Sequence, residues 1–307
     1  MTTIPPTVNL RRRIRHIDIR TAVLLSLAVV VTLVGVVYRA RAGISQNEYV
    51  QAELVADVQS IQPGNPFWVA VRFEIEQDWH INWINPGDAG LAPSIQWNLP
   101  EGFKAGELLW PAPSRYKIGP LVIYGYDDEL LLMARLLPPK DLQPGKQVEI
   151  SAAVDWLACA EACVPEEANV RVRLPVRSSY PLPDPKWSTA MDKVRFDHPM
   201  PSGGWTVNAF AEDEERYVIE VSSHGENIAA VRGCSFFPLE PDVIENASAQ
   251  VFTVRHRGFE ITLKRAHMST EIPERLTGVL VSDTGFARPD GTAKWRAISI
   301  DVPLETR

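Results

Sequence analysis

The chain has 307 residues, of which 45% are apolar and 22% charged, as in an ordinary globular protein. Its net charge is −7, but residues 1–42 carry seven arginines and one aspartate, a charge of +6, which leaves −13 for the remainder. An acidic body excludes nucleic acid as the expected partner, because binding to phosphates needs a basic face.

The N-terminal segment has the features of a membrane anchor or an export signal. Four arginines within residues 11–15 precede an uncharged, apolar run over residues 21–38. This run is at the short end of a membrane span and is long for the core of a signal peptide. Because the basic flank stays in the cytoplasm, we expect residues 1–20 to be cytoplasmic, residues 21–38 to form a transmembrane anchor, and the body to lie outside the cytoplasm. Residues 40–42, Ala-Arg-Ala, fit a cleavage site, so a cleaved form is the alternative.

Beyond this segment the apolar pattern changes to a period of two. Apolar and polar residues alternate over residues 69–76, which is typical of a half-buried strand. Residues 148–154 and 170–174 predict two further strands, one on either side of two cysteines, Cys159 and Cys163. We therefore expect this cysteine pair near the turn of a β-hairpin.

The second half of the chain is also rich in predicted strands. A proline-rich linker over residues 178–185 leads into a short helix that ends near Val194, with Asp184 as its N-cap and Pro185 at its first position. Strand patterns follow at residues 217–221, 259–264, 278–281 and 297–302.

Short strands without long helices between them favour β-sandwiches over an α/β sheet, and the length suits about two domains. The sequence therefore predicts a mainly β protein with two β-sandwich domains after the N-terminal helix. We expect a cysteine-bearing sandwich over residues 45–177, a linker and short helix over residues 178–195, and a second sandwich over residues 196–307.

The cysteine pair carries the clearest chemical signal. A chain with three cysteines has no disulfide framework, and a close pair is more typical of a redox or metal site. The C-x3-C spacing permits a disulfide across a tight turn, yet closing so short a loop removes little entropy from the unfolded chain. A structural disulfide, redox exchange and metal binding stay open at this point, and redox exchange is the role we favour.

Metal binding is the alternative chemistry. Two thiolates at this spacing suit Cu(I), with Cys159 and Cys163 as its ligands. Zinc prefers four ligands, and the sequence has no second cysteine pair and no histidine pair at metal-ligand spacing. Apart from this copper alternative, we expect no metal and no other cofactor.

Acidic neighbours set the expected reactivity of the thiols. The four nearest are Asp155, Glu161, Glu166 and Glu167. Negative charge disfavours a thiolate and raises the thiol pKa, so the reduced thiols should react slowly until a partner docks. The third cysteine, Cys234, has no neighbouring cysteine in sequence and is expected to be a small buried hydrophobic residue.

A resemblance to a known family is carried by residues 156–168, Trp-Leu-Ala-Cys-Ala-Glu-Ala-Cys-Val-Pro-Glu-Glu-Ala. They resemble the cysteine motif in the extracytoplasmic N-terminal region of the DsbD and ScsB thiol:disulfide interchange proteins, and the ScsB-like branch most. The likeness covers roughly residues 48–303. It extends to residues 79–91, 110–113, 124–129, 236–238 and 278–281.

The resemblance implies immunoglobulin-like sandwiches, the first of them similar to the DsbD alpha domain. It implies that Cys163 exchanges with partners and that Cys159 resolves the mixed disulfide. Residues 123–125 are similar to the family's cap over the disulfide, where Ile123 takes the place of a shielding phenylalanine and Tyr124 is its expected substitute. The expected cap or modulating residues are Tyr124, Tyr126, Asp155, Trp156, Pro165 and Glu166.

The resemblance also implies an activity and partners. The expected function is a thiol:disulfide oxidoreductase of the protein-disulfide-reductase kind, in the periplasm and held at the inner membrane by the N-terminal helix. The membrane domain and thioredoxin-like domain that follow in these families are not part of this sequence. We therefore expect a thioredoxin-like or DsbD-type membrane donor on another chain, and oxidised periplasmic proteins as clients. The alternative is a copper-binding or partner-binding periplasmic module without catalysis.

Overall fold

The computed structural model describes residues 47–223, 231–267, 272–288 and 294–307. The predicted cytoplasmic segment over residues 1–20 and the predicted anchor over residues 21–38 lie outside the described residues. Among the residues that are described, no helix is both long and apolar enough to cross a membrane.

Ten strands, which we call the first β region, precede the helix in the described part of the chain. The alternation of more and less buried side chains along three of the longest matches the period of two seen in the sequence. Their bounds are β1 Val50–Ala56, β2 Phe67–Ile75, β3 Ile81–Gly87, β4 Ser94–Asn98, β5 Lys104–Leu109, β6 Ser114–Ile118, β7 Leu121–Tyr126, β8 Glu129–Leu137, β9 Gln147–Cys159 and β10 Cys163–Pro175.

These ten strands form three antiparallel sheets, with strand orders β1-β2-β8-β5, β10-β9-β4 and β3-β7-β6. Their apolar faces share one core, in which Phe73 of β2, Trp83 of β3, Leu132 of β8 and Trp156 of β9 are buried. Packed sheets around a common core make this region sandwich-like, as the alternating pattern predicts.

The helix, α1, spans Ser188–Asp197 and starts later than the sequence predicts. The Asp184 carboxylate accepts the backbone N–H groups of Lys186 at 2.9 Å and Trp187 at 3.0 Å, so it caps the turn before the helix rather than the helix itself. Met191 of α1 is buried against side chains of β1, β2 and β8, which attaches the helix to the first sheet.

Eight further strands, the second β region, follow α1 in the described residues. They form one sheet with the order β14-β17-β18-β12-β13-β16-β15, in which β11 pairs with β18. Tyr217, Phe236 and Phe286 are buried in a separate core against it. The bounds are β11 Met200–Pro201, β12 Trp205–Ala211, β13 Arg216–Ser223, β14 Cys234–Pro238, β15 Val251–Arg255, β16 Gly258–Lys264, β17 Arg275–Ala287 and β18 Lys294–Thr306.

The mainly β fold class is thus confirmed, and β13, β16, β17 and β18 include the four strand patterns predicted in the second half. The described residues from 47 onward group into one compact unit. The two β regions touch through Phe237, whose ring meets Trp83 edge-to-face, and through Asn85, whose side-chain N–H groups bind the carbonyls of Pro238 and Glu240. The division into domains at residues 45–177, 178–195 and 196–307 stays a prediction.

Candidate functional site

A disulfide joins Cys159, the last residue of β9, to Cys163, the first residue of β10. The two strands pair in register over thirteen residues each, which sets the two cysteines directly opposite each other with their Cα atoms 4.1 Å apart. The turn between them is closed by a hydrogen bond from the Ala160 N–H to the Ala162 carbonyl. The prediction that the cysteines lie at a hairpin turn is confirmed.

The two cysteines differ sharply in exposure. Cys159 is 2% exposed, whereas Cys163 is exposed to solvent. A thiolate must reach a disulfide sulfur before it can attack it, so accessibility decides which sulfur a visiting protein meets. The Cys163 sulfur is therefore accessible to a partner protein, whereas the Cys159 sulfur is shielded.

Cys159 is covered by the residues that lead into β3. Its backbone N–H binds the carbonyl of His80, and the N–H of His80 binds the carbonyl of Cys159, both at 2.9 Å. The Sγ of Cys159 also lies 3.9 Å from the side-chain Oδ1 of Asn82, which is completely buried. The backbone of Cys159 is therefore paired with that of His80, and its buried sulfur lies beside the Asn82 side chain.

Glu166 organises the hairpin on the side of Trp156. Its carboxylate accepts hydrogen bonds from the Trp156 Nε1–H at 3.0 Å and from the backbone N–H groups of Glu48 and Tyr49 at 2.9 and 3.1 Å. The Trp156 ring is buried and meets Phe73 edge-to-face. Glu166 thus holds both the segment before β1 and the indole in place.

Asp155 and Pro165 lie on the same hairpin and are both exposed. The Asp155 carboxylate accepts a hydrogen bond from the Ser94 hydroxyl at 3.2 Å, and Pro165 stands opposite Leu157 in the register. The structure therefore gathers Asp155, Trp156, Pro165 and Glu166 within a few residues of the disulfide. Their modulating role stays a prediction.

Tyr124 and Tyr126 of β7 are buried and make their contacts elsewhere. The Tyr124 hydroxyl donates to the side-chain Oδ1 of Asn246 at 2.8 Å, and its ring packs against Phe237 of the second β region. The Tyr126 hydroxyl donates to the carbonyl of Pro111 at 2.7 Å. Burial raises the pKa of both phenols, which stay protonated. None of these contacts is with a cysteine, and a role of either tyrosine in a cap stays a prediction.

Cys234, the third cysteine, is buried in β14 within the second core. Burial, together with the charge of Asp283, raises the pKa of its thiol far above the usual value. The prediction of a small buried hydrophobic residue is confirmed, and the burial of this thiol disfavours the thiolate form.

A cleft of about 640 Å³ opens beside the cysteine turn. Ala160 and Glu161 of the turn form one side of it, and His80, Tyr116 and Asp127 line it as well. The imidazole of His80 stacks on the Tyr116 ring with 5.5 Å between centroids. The cleft brings a buried histidine next to the disulfide-bearing turn.

His80, Asn82 and Tyr116 were missed as site residues by the sequence reasoning. The pairing of His80 with Cys159 joins residues far apart in the chain, and no local pattern reveals it. The available signal was a polar residue, Asn82, inside an otherwise apolar stretch over residues 81–84. A buried amide in a strand needs a hydrogen-bond partner, and the Asn82 Nδ2–H group donates to the carbonyl of Ala89 at 3.4 Å.

Comparison with known proteins gives one family match. Residues 46–175 match the family model described as thiol:disulfide interchange protein DsbD, N-terminal. No curated protein sequence matches the chain. The matched range includes β1 to β10 and both cysteines of the disulfide.

Among solved structures, the N-terminal periplasmic domain of ScsB from Proteus mirabilis resembles this chain with a TM-score of 0.60 at 14% identity, over 84% of this chain and 94% of that one. A protein of unknown function from Porphyromonas gingivalis W83 gives a TM-score of 0.24 at 12% identity, over 84% and 100% of the two chains. The pilin subunit BcpA of Bacillus cereus, as its D312A variant, gives 0.26 at 11% identity, over 84% and 69%.

The likeness to the ScsB domain is one of fold, and it extends over both β regions. The family match covers the region that carries the disulfide. The resemblance seen in the sequence around Cys159 and Cys163 is thereby confirmed. Residues 46–175 are thus similar in sequence to the N-terminal region of the DsbD thiol:disulfide interchange protein, and the fold is similar to that of the N-terminal periplasmic domain of ScsB.

Proposed function

We propose that this protein is a periplasmic thiol:disulfide oxidoreductase that works through reversible opening of the Cys159–Cys163 disulfide. The observation that carries the proposal is the asymmetry of this disulfide, which has one exposed and one buried cysteine at the tip of a rigid hairpin. A merely structural bridge gains nothing from exposing one sulfur, whereas exchange requires an accessible sulfur and a protected resolving thiol.

Reduction of the disulfide begins with a donor dithiol. A donor thiolate attacks the Sγ of Cys163, the bond between the two cysteines breaks, and Cys159 leaves as a thiolate that takes up a proton. The donor's second thiol then attacks its own mixed disulfide and releases Cys163. The donor dithiol has lost two electrons, and the cysteine pair has gained them.

Delivery to a client is the same chemistry in reverse. Cys163 attacks the client's disulfide, and Cys159 then attacks the Sγ of Cys163, which releases the reduced client and restores the disulfide. Glu161, in the turn between the cysteines, is exposed and negatively charged, which disfavours the thiolate and slows reaction with stray oxidants. Docking of a specific protein would change this environment.

The partners follow from this cycle. We assign the donor to a thioredoxin-like or DsbD-type membrane protein, and the clients to oxidised periplasmic proteins. The ScsB domain with the similar fold is described as periplasmic, which agrees with the N-terminal anchor expected at residues 21–38 and a body outside the cytoplasm. We propose that electrons flow from the membrane side to the clients.

The test is to trap the intermediate. The full chain carrying Cys159→Ala is first converted at Cys163 to the mixed disulfide with thionitrobenzoate. A thioredoxin-like donor that lacks its second cysteine should then displace thionitrobenzoate and form a stable, equimolar mixed disulfide, joined through Cys163 and released by reductant. Cys163→Ala should form none, because the remaining Cys159 is buried. Absence of an adduct together with stoichiometric uptake of Cu(I) by the reduced protein would refute exchange in favour of the copper-binding module.

A further inference from the structure

We infer that His80 is the general base that takes the proton from the Cys159 thiol when Cys159 resolves the mixed disulfide. The inference rests on the proposed function and adds a proton-transfer group to it. It starts from the strand register and not from any histidine motif in the sequence.

The register sets the His80 side chain beside that of Cys159. The two residues exchange both backbone N–H···O bonds, which makes them a directly opposed pair of an antiparallel ladder. Side chains of such a pair project to the same face, with Cβ atoms roughly 4.5–5.5 Å apart. An imidazole and a sulfur at these positions are neighbours.

The position of the sulfur agrees with this geometry. Asn82 lies two residues beyond His80, so their side chains share one face of the strand. The Cys159 Sγ is 3.9 Å from the Oδ1 of Asn82, which shows that the sulfur points to that shared face. Both His80 and Asn82 are buried there, at 4% and 0% exposure.

The imidazole has a nitrogen available for a proton. The Nε2 of His80 is buried and has no hydrogen-bond partner among the described residues. A buried polar atom without a partner costs stability, and such atoms mark sites with a use beyond packing. When the disulfide opens, the Cys159 thiol is a new hydrogen-bond donor on the same face.

The charges around His80 leave it neutral at pH 7. Burial lowers its pKa, and the negative charge of Asp127 opposes this effect only partly. A neutral imidazole accepts a proton, as a general base must. The charged groups that share the cleft are Glu76, Asp78, Arg115, Lys117, Asp127, Asp128 and Glu161.

The Cys159 thiol gives its proton to His80 as its sulfur attacks the Sγ of Cys163. The bond between Cys163 and the client sulfur breaks, the Cys159–Cys163 bond forms, and the client sulfur leaves as a thiolate. The imidazolium then returns the proton to the client thiolate or to water. In the opposite direction, His80 first takes the proton of the attacking thiol or one from water, and the resulting imidazolium protonates Cys159 as it leaves.

The experiment isolates this step with an aromatic disulfide reagent, 5,5′-dithiobis(2-nitrobenzoic acid). The full chain, reduced and carrying Cys234→Ala, is mixed with less than one equivalent of this reagent. The first release of thionitrobenzoate reports attack by Cys163. The second release is intramolecular and reports attack by Cys159 on the mixed disulfide. Both are followed by absorbance from pH 5.5 to 9.5.

Two signatures are expected. In the protein with His80, the second rate should be nearly flat between about pH 6.5 and 8, because the base is already neutral there, and should fall below that range. His80→Gln should slow this rate about 100-fold at pH 7, the low end for general-base catalysis. In His80→Gln the second rate should rise about tenfold per pH unit as the Cys159 thiolate forms. The second rates of the two proteins should become equal near the pKa of the Cys159 thiol.

A matched control is His198→Gln. His198 is also partly buried with a lowered pKa, but its Nδ1 contacts the Trp110 carbonyl away from the disulfide. In this variant, Cys159 should resolve the mixed disulfide as fast as it does in the parent protein. Thermal unfolding of each variant reports whether it is folded.

Three results would overturn the inference: a tenfold rise per pH unit in the parent protein between pH 6 and 8, an unchanged rate in His80→Gln, or equal slowing in His198→Gln. The first of these needs no substitution, so it decides the matter even if His80→Gln does not fold. Failure of the proposed function looks different, because then the first release would not come from Cys163.

Discussion

At the scale of single residues, the asymmetry of the disulfide has a simple cause. Cys159 ends a central strand of its sheet and is flanked by Cys163 on one side and His80 on the other. Cys163 begins β10, which is the edge strand of that sheet. Two cysteines that are equivalent in the sequence motif therefore differ in accessibility because of the strands next to them.

Glu166 should contribute to stability more than an ordinary surface carboxylate. Glu166→Ala removes the acceptor for the Trp156 indole and for two backbone N–H groups. We expect the free energy of unfolding to fall by about 1–3 kcal/mol, the usual cost of leaving such donors without partners. Urea denaturation measures it.

The neighbouring Glu167 provides the control for that change. Its side chain is exposed, and it stands opposite Asp155 in the register. Glu167→Ala should shift the free energy of unfolding by less than about 0.5 kcal/mol. Equal effects of the two substitutions would show that Glu166 does not hold the hairpin.

At the scale of elements, the β9–β10 hairpin should persist when the disulfide is open. Thirteen paired residues on each strand hold it together, and the disulfide closes a sequence separation of only 4. Loop-closure entropy for so short a loop is worth at most about 2 kcal/mol. Amides of β9 and β10 should therefore keep their protection from hydrogen exchange after reduction.

This prediction distinguishes a redox-active disulfide from a structural one. A protein that cycles between two redox states must remain folded in both. Hydrogen exchange followed by mass spectrometry on oxidised and reduced protein gives the comparison, with β13 and β16 of the second β region as the internal reference. Loss of protection throughout β1 to β10 on reduction would mean that the disulfide is a structural requirement.

The sequence predicted this hairpin well, since alternating apolar residues on both sides of the cysteines leave little choice of structure. It did not predict that His80 and Asn82 cover Cys159. That contact depends on how β3 meets the end of β9, and nothing local in either strand specifies it. Tyr124, which the family resemblance places in a cap, packs against Phe237 and donates a hydrogen bond to Asn246, and its role in a cap stays a prediction.

The sequence also predicted the wrong start for α1. Asp184 and Pro185 have the chemistry of a helix start, yet the carboxylate caps a turn and the helix begins at Ser188. A turn and a first helical turn use the same side-chain acceptor. The packing of Met191 against the first sheet then sets where the regular helix lies.

At the scale of the whole molecule, the buried His80 and the half-buried His198 predict how the free energy of unfolding depends on pH. Burial lowers the pKa of both His80 and His198 in the folded protein. Below about pH 6.5, the usual histidine pKa, the unfolded chain binds protons that the folded chain does not. The free energy of unfolding should therefore decrease as the pH falls from 7 towards 5.

Urea denaturation at a series of pH values checks this dependence. His80→Gln and His198→Gln should each flatten the profile between pH 7 and 5, and the double variant should flatten it most. Asp57 acts in the opposite sense at lower pH, because burial raises its pKa and protonation then favours the folded state. A profile that rises from pH 7 to 5.5 would contradict the burial of the two imidazoles.

The central claim is that a visiting protein bonds reversibly to the exposed sulfur. Its most direct test is peptide mapping of the wild-type protein, quenched with acid during its reduction by a thioredoxin-like donor. The account predicts that the donor is linked to the peptide containing Cys163 and that the intermediate decays as the disulfide opens. A donor attached to Cys159, or reduction of neither cysteine by any dithiol protein, would contradict it.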